Sequence, residues 1–286
     1  MKTGMKIALM TSQETWAGFF IQRWLSRLRV EGIEIGCVVV DENRTRRANP
    51  LSHMLSVAKQ QSKVAKSSLP GALLRLVVFR LWLNFGRRGE AVTVADLPEA
   101  IPSFRVPSLN SAEAVEAVRA CGCDASCLLG ARILTQSTIQ GLGHIVLNGH
   151  ASDPRFVRGR PPVFWEVLNG NRQICLTVHQ AVQKLDAGPI YGQRLQDIIY
   201  CGGIAATIGA TMEQARTKMT DLFAEVLIGI HGRTVTSIEF NPGPVRTVPR
   251  ISQLIRAEIL CRRRSKQIHA GYRRAGQFLF GPSQPR

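Results

Sequence analysis

Residues 145–165 of this 286-residue chain read IVLNGHASDPRFVRGRPPVFW, an apolar strand followed directly by polar side chains. In open α/β sheets, ligands bind beyond the carboxyl ends of the strands, so this segment predicts a site at that edge of a sheet. Side chains alternate along an extended chain, and Asn148 and His150 are therefore predicted to face the same side. Both can then reach one carbonyl oxygen, as the donors of an oxyanion site do.

Apolar runs on both sides of this segment predict the rest of the sheet. Residues 6–10 and 35–40 have the composition of buried strands, with a helical pattern over 14–31 between them, which is how a parallel sheet begins. Further strands are predicted over 103–109, 125–129, 174–182 and 190–196, and helices over 111–120, 159–170 and 207–230. The predicted fold class is α/β, a Rossmann-like, mostly parallel sheet with flanking helices.

The net charge of +17 is concentrated in two segments. Residues 44–89 hold ten Lys/Arg and no Asp/Glu, residues 251–286 hold eight Lys/Arg and one Glu, and the remaining chain carries 19 basic and 19 acidic residues. We predict a catalytic domain over residues 1–231 that contains a basic helical insertion over about 44–95. A basic C-terminal extension is predicted over 232–286.

The two basic segments suggest a contact with an anionic partner. Residues 73–83 are the most apolar part of the insertion, but Arg75 and Arg80 argue against a membrane span. A basic helix of this kind either lies on an anionic surface or packs on the domain by one face. Arg262 to Arg264 suit a solvated, disordered end or nonspecific binding of nucleic acid. Peripheral contact of 44–89 and 251–286 with an anionic membrane or nucleic acid therefore stays open, as does the oligomeric state.

Several other classes of site and protein are not favoured. Residues 10–18 read MTSQETWAG, so the glycine pattern of a dinucleotide site or a phosphate loop is absent after the first strand. Three cysteines at 121, 123 and 127 lack a Cys-x-x-Cys pair, and no metal site is predicted. The N-terminus has neither the basic start nor the long apolar core of a signal peptide, which favours a cytoplasmic protein.

A second polar turn completes the candidate site. Residues 184–190 read KLDAGPI, but an Asp in such a turn is usually a cap, so spacing alone gives Asp186 no role. The whole pattern nevertheless resembles the signature of the formyltransferase family. The matching positions are Asn148, His150, Ser152, Arg158-Gly159, Pro162, Trp165, Asn169-Gly170, Thr177-Val178-His179 and Asp186-x-Gly188-Pro-Ile190.

The resemblance implies a formyltransferase fold and assigns roles to residues. It implies 10-formyltetrahydrofolate as the formyl donor, without a metal, and a small amine as the acceptor, an anionic one such as an amino sugar or a nucleotide-linked sugar. The catalytic positions are Asn148, His150 and Asp186. The folate-binding positions are Gly130, Arg132, Ile133 and Leu134, with Val182, Gln183, Lys184 and Leu185 as a second wall. Ser152 and Arg158 are the expected substrate-binding positions.

Two alternative functions remain open. A hydrolase of the same fold would use water in place of the amine, and a noncatalytic module would bind through the basic segments. The family often has Ser-Leu-Leu-Pro after the histidine, whereas residues 152–155 read SDPR. Because this loop borders the acceptor, the identity of the amine is not predicted.

Overall fold

A computed structural model describes residues 4–42, 49–64, 67–86 and 97–279. The strands are β1 (Met5–Thr11), β2 (Ile33–Asp41), β3 (Ser103–Val106), β4 (Ala125–Leu129), β5 (Ile145–His150), β6 (Arg158–Gly159), β7 (Gln173–Gln180), β8 (Ile190–Asp197) and β9 (Val245–Arg246). The helices are α1 (Glu14–Val30), α2 (Pro50–Val64), α3 (Leu69–Gly86), α4 (Ala112–Ala120), α5 (Gln136–Leu142), α6 (Phe164–Leu168), α7 (Ile204–His231) and α8 (Ile251–Leu279).

The central sheet has seven strands in the order β3-β2-β1-β4-β5-β7-β8. The strands from β3 to β5 pair in parallel, and β7 and β8 add to the β5 edge in antiparallel fashion. The predicted mostly parallel α/β sheet is confirmed. Residues 7–10 of β1 are buried on both faces of the sheet, which explains their apolar sequence IALM.

Helices cover both faces of the sheet. Ile7 and Leu9 of β1 belong to the core formed with α1 and α7, whereas Ala8 and Met10 belong to the core formed with α4 and α5. This division follows from the alternation of side chains along a strand. The sheet is therefore the middle of three layers, and its carboxyl edge is left for the loops that follow the strands.

The basic insertion is helical where the structure describes it, as predicted. Helix α3 packs on α2, α7 and α8, and it buries Ala72, Leu76 and Phe79. The Phe79 ring meets the Phe164 ring edge to face at 6.4 Å. Residues 44–48, 65–66 and 87–95 of the predicted insertion lie outside the described residues. Within the described ranges, no helix combines the length and apolarity needed to cross a bilayer.

Glu258 of α8 joins the insertion, the C-terminal region and the central helix α7. Its Oε2 accepts a hydrogen bond of 2.8 Å from the backbone N–H of Ile204, the first residue of α7. Gly203 provides no side chain to cap this helix, so the carboxylate of Glu258 takes that place at the positive end of the helix dipole. Oε2 also accepts a bond of 3.4 Å from Trp82, and Oε1 pairs with Arg262.

Three predicted elements differ from the structure. Strand β3 ends at Val106 rather than at 109, because Pro107 has no N–H to continue the ladder. Helix α6 begins only at Phe164, after Pro161 and Pro162. The prediction of a disordered end at Arg262 to Arg264 is wrong: these residues lie in α8, and Arg264 donates hydrogen bonds to Gly170 O, Asn171 O and Tyr200.

A short second sheet connects the C-terminal region to the loop after β5. Arg158 and Gly159 of β6 pair in parallel with Val245 and Arg246 of β9. Gly159 has a φ of +89°, and a Cβ there would lie 2.5 Å from the backbone oxygen of Arg246. Only glycine allows the two backbones to approach this closely.

Candidate active site

Strand β5 places two polar side chains on one side of the sheet. In the antiparallel register with β7, Asn148 lies opposite His179, and His150 lies opposite Thr177. Gly149 faces the other side, where a Cβ would come within 2.7 Å of the Phe223 ring. Asn148 and His150 thus share one side, as alternation along the strand predicts.

Asp186 reaches the same place from the turn between β7 and β8. Its φ is +45°, a conformation that Asp and Asn adopt more readily than most residues. Carboxylate Oδ2 accepts a hydrogen bond of 2.9 Å from Gly159 N and lies 3.8 Å from His150 Nδ1. Oδ1 lies 3.7 Å from His179 Nε2, and the side chain is only 8% exposed. The three predicted catalytic residues, distant in sequence, are therefore gathered around one buried carboxylate.

His179 orients Asn148, a role that the sequence pattern did not assign. His179 Nδ1 lies 2.9 Å from the carbonyl oxygen of Gln180, which only accepts, so Nδ1 carries the proton. The lone pair of Nε2 then accepts a hydrogen bond of 3.2 Å from the Asn148 amide. Burial lowers the pKa of His179, against the opposing effects of the Gln180 carbonyl and Asp186, and favours the neutral ring. The second amide hydrogen of Asn148 remains for a ligand oxygen.

Both ring nitrogens of His150 meet protein atoms. Nε2 donates to the carbonyl oxygen of Val157 at 3.3 Å, a long hydrogen bond, and Nδ1 faces Asp186. Donation to a substrate oxygen therefore requires the ring to exchange its contact with Val157 for one with the substrate. Such bonds of catalytic groups are often long before substrate binds.

Ser152 and Arg158, the expected substrate-binding residues, are buried and bonded to protein groups. The Ser152 hydroxyl donates to the carboxylate of Glu166. The Arg158 guanidinium donates to Gly243 O at 2.6 Å and to Leu185 O at 2.8 Å. In this structure both side chains position loops around Asp186 and His150. Their contact with a substrate stays a prediction.

Glu166 is a buried acid that the sequence pattern did not single out, although it interrupts the apolar run VFWEVL. It is 5% exposed, and its Oε2 has no hydrogen-bond partner within the part of the chain that the structure describes. Burial raises its pKa, while the bond from Ser152, its own backbone N–H and the charge of His150 act in the opposite direction. Glu166 is thus a second buried carboxyl group near the site, and it is bonded to Ser152 in the loop that follows His150.

Replacing Glu166 with Gln should change how stability depends on pH. A raised pKa in the folded protein means that stability is complete below the unfolded value, about 4.3, and is lost as pH rises through the folded value. The Gln variant lacks this loss, so its melting temperature should rise relative to wild type by about 3 °C between roughly pH 4.5 and pH 8. Thermal unfolding across this range measures it, with the exposed Glu239→Gln as control. Parallel curves for wild type and Glu166→Gln would contradict the prediction.

The positions expected to bind the folate lie in two loops, the first over residues 130–135 after β4 and the second over residues 181–189 after β7. Ala131 of the first loop and Ala181 of the second pack on the same apolar cluster, so the loops lie on one side of the sheet. Gly130 has a φ of +63°, which lets the first loop turn tightly over Trp16. Among the described residues, no protein acceptor takes a hydrogen bond from the backbone N–H groups of Arg132, Ile133 or Val182. These donors suit the polar edge of a flat heterocycle such as a pterin.

The side chains of these loops differ in exposure. Ile133 is exposed and Leu134 is buried, while Gln183 and Lys184 are exposed. Asn110 holds the first loop by bonding to Ile133 O at 3.1 Å and to Thr135 N at 2.8 Å. Folate contacts by the eight predicted positions remain predictions, and backbone groups rather than side chains are the suitable donors. Within the described ranges, no group of three His, Cys, Asp or Glu is arranged to hold a metal ion.

A protein-family model described as "Formyl transferase" matches residues 5–221. The chain belongs to the formyl transferase family. The matched range contains β1 to β8 and all three predicted catalytic positions. The resemblance read from the sequence is therefore confirmed.

Individual relatives match over parts of the chain. The methionyl-tRNA formyltransferase of Listeria welshimeri is 27% identical over 165 residues, which are 57% of this chain and 51% of that protein. The chain thus spans about half the length of that curated relative. A sugar N-formyltransferase from Shewanella has a TM-score of 0.53 at 12% identity, covering 88% of this chain and 87% of that one. A formyltetrahydrofolate deformylase from Pseudomonas syringae has a TM-score of 0.52 at 20% identity, covering 83% and 66%. At these identities, the solved structures support the fold alone.

Proposed function

We propose that this protein transfers the formyl group of 10-formyltetrahydrofolate to the primary amine of a small anionic acceptor, such as an amino sugar or a nucleotide-linked sugar. The observation that carries the proposal is the position of the Asp186 carboxylate, within 4 Å of both His150 and His179. This carboxylate faces Nδ1 of His150, and His179 holds the Asn148 amide as a hydrogen-bond donor. The site therefore contains two donors for one developing oxyanion and one acceptor for a proton.

The chemistry assigns each residue a step. The nitrogen of the neutral amine attacks the formyl carbon, and negative charge develops on the formyl oxygen. Asn148 and His150 stabilise that charge by donating hydrogen bonds, each worth about 3–4 kcal/mol of barrier. The bond from the formyl carbon to the folate nitrogen then breaks. Asp186 takes the proton that the amine loses, and this proton is then passed to the departing nitrogen, which yields a formamide and tetrahydrofolate and returns Asp186 to the carboxylate.

Cationic groups next to the site support an anionic acceptor. Arg160 is exposed at the end of β6, and Arg246 of β9 lies over the Trp165 ring, 5.2 Å from its centroid. Lys184 is exposed two residues before Asp186. Guanidinium and ammonium groups in this arrangement suit a phosphate-bearing substrate. In the SDPR loop, Arg155 is paired with Asp153 and donates a hydrogen bond of 3.0 Å to Gln193 of β8.

A transfer assay with a panel of amines tests the proposal. The purified protein is incubated with 10-formyltetrahydrofolate and nucleotide-linked amino sugars, glycinamide ribonucleotide or methionyl-tRNA, and mass spectrometry detects an acceptor that gains one carbon and one oxygen. We expect a nucleotide-linked amino sugar to be formylated. If tetrahydrofolate does not form with any acceptor, the transferase proposal fails.

The same assay distinguishes the alternatives. A hydrolase would release formate and tetrahydrofolate at the same rate with or without an amine. A noncatalytic module would form neither product, and His150→Ala would leave its binding of partners unchanged. The amide of Asn148 and the buried pair of His150 and Asp186 are arranged for chemistry, which favours an enzyme over a module.

A further inference from the structure

The two helices of the insertion, α2 and α3, present leucines to solvent. On α3, Leu74 is 57% exposed and Leu81 is 52% exposed, and their spacing of seven residues places them on one face. On α2, Leu51 is 68% exposed and Leu55, one turn later, is 49% exposed. We call α2 and α3 with these four leucines the insertion pair.

The exposed leucines do not result from poor packing of the insertion pair. Helix α3 buries its opposite face, including Leu76 and Phe79, in the main core of the enzyme. Two aromatic residues of α3 are held inward: Phe79 packs on Phe164, and Trp82 bonds to Glu258. The pair is therefore anchored to the body by one face, and its outward leucines are a separate surface.

The charge of the insertion pair is of one sign. Helices α2 and α3 contain four basic residues, Lys59, Lys63, Arg75 and Arg80, and no acidic residue. Lys59 and Lys63 are exposed on α2, and Lys59 lies one turn after Leu55. Leucines and lysines thus share the outer side of one helix, which is the composition of helices that lie in the interface of a bilayer.

The combination of exposed leucines with neighbouring lysines indicates which class of partner the insertion pair binds. Single-stranded nucleic acid is bound by cations together with stacking aromatic residues, whereas Phe79 and Trp82 of α3 face the core. A phosphate backbone offers no apolar surface against which the four exposed leucines could pack, whereas the acyl boundary of a membrane does. A second copy of this chain would bring an equally basic segment against the first. Lysines beside the leucines meet complementary charge in anionic lipid headgroups.

We infer that the insertion pair adsorbs to the surface of lipid bilayers that contain anionic headgroups. Binding is peripheral: the helices lie in the interface, and none of the described helices can span it. The leucines supply burial in the acyl boundary, and the lysines supply attraction that weakens as salt screens it. The catalytic residues are not part of this surface, so the inference is independent of the proposed function.

A flotation experiment tests the inference with the full-length protein. Vesicles of phosphatidylcholine alone are compared with vesicles that contain phosphatidylglycerol, at low and at high salt. We expect the protein to float with the anionic vesicles at low salt, to remain behind with the neutral ones, and to dissociate as salt rises. Failure to float with anionic vesicles at low salt would overturn the inference.

Matched variants assign the binding to the insertion pair. Leu74→Gln with Leu81→Gln should lower the partition coefficient at least about tenfold, and Lys59→Gln with Lys63→Gln should lower it mainly at low salt. Leu195→Gln with Ile238→Gln is the control, because these residues are comparably exposed outside the insertion pair. Circular dichroism and melting temperature verify that each variant is folded. Equal binding of the leucine variant and the control, or a single-stranded RNA that binds more tightly than the vesicles, would refute the inference.

Discussion

The His150→Ala variant should lose formyl transfer by about a hundredfold to a thousandfold in kcat, while it still binds tetrahydrofolate. The ring stands between the Asp186 carboxylate and the Val157 carbonyl, and alanine removes the donor that would move from Val157 to the substrate oxygen. Folate binding should persist because the two flanking loops do not depend on this ring. Single-turnover assays with the acceptor found in the panel, together with a folate-binding titration, measure both effects.

His144 supplies a control for this experiment. It is half-buried before β5 and bonds to Ser126 at 2.8 Å, away from Asp186. His144→Ala should therefore retain transfer activity even where it lowers the melting temperature. Equal activity of His150→Ala and His144→Ala would remove His150 from the catalytic machinery.

The Asp186→Asn variant should fall in kcat by about a hundredfold or more with little change in stability. Asn also tolerates the φ of +45°, and its side-chain oxygen can still accept the bond from Gly159 N. What disappears is the negative charge that faces the His150 ring and receives the proton of the amine. Pre-steady-state transfer rates and thermal unfolding, measured on the same variant, distinguish an effect of the lost charge on the reaction from an effect on the stability of the fold.

Two further variants complete the comparison. Asp186→Ala also loses the acceptor for Gly159 N, so it should lower both activity and melting temperature. Asp197→Asn removes an exposed carboxylate that bonds to Gln173 at the end of β8, and it should change neither. An Asp186→Asn enzyme with the activity of wild type would show that the carboxylate charge has no part in the reaction.

The parts of the fold that depend on local sequence were predictable. Buried parallel strands such as β1 and β2 contain apolar runs, residues 7–10 and 35–40, from which the number and order of the strands along the chain could be read directly. Asn148 and His150 were predicted to share a side because alternation depends only on the strand itself. Asp186 required the family resemblance, since a turn carboxylate by itself is more often a cap.

The contacts that sequence could not predict are those between distant segments. Glu258 reaches the first residue of α7 from 54 positions away, and no local pattern marks it as a cap. The charge run at Arg262 to Arg264 by itself indicates a solvated end, because the partners that hold Arg264, Tyr200 and Gly170, lie 64 and 94 positions away in the sequence. The sequence does mark Glu166 as unusual, because it is an acid within an apolar run. Its hydrogen bond from Ser152 depends on the fold of the loop between them and is not visible in the sequence.

The pairing of β6 with β9 bears on where the chain can be shortened. Gly159 N holds the Asp186 carboxylate, and the same short strand is held in place by Arg246 from the far side of the sequence. A fragment cut to the family-matched portion, residues 5–221, would remove Arg246 and leave the backbone beside the acid unsupported. The same cut would remove the buried C-terminal part of α7, including Phe223 and Leu227, and Glu258 of α8. Truncation at residue 221 should therefore lower the stability of the fold as well as any transfer activity, and a folded fragment has to extend past the family-matched portion.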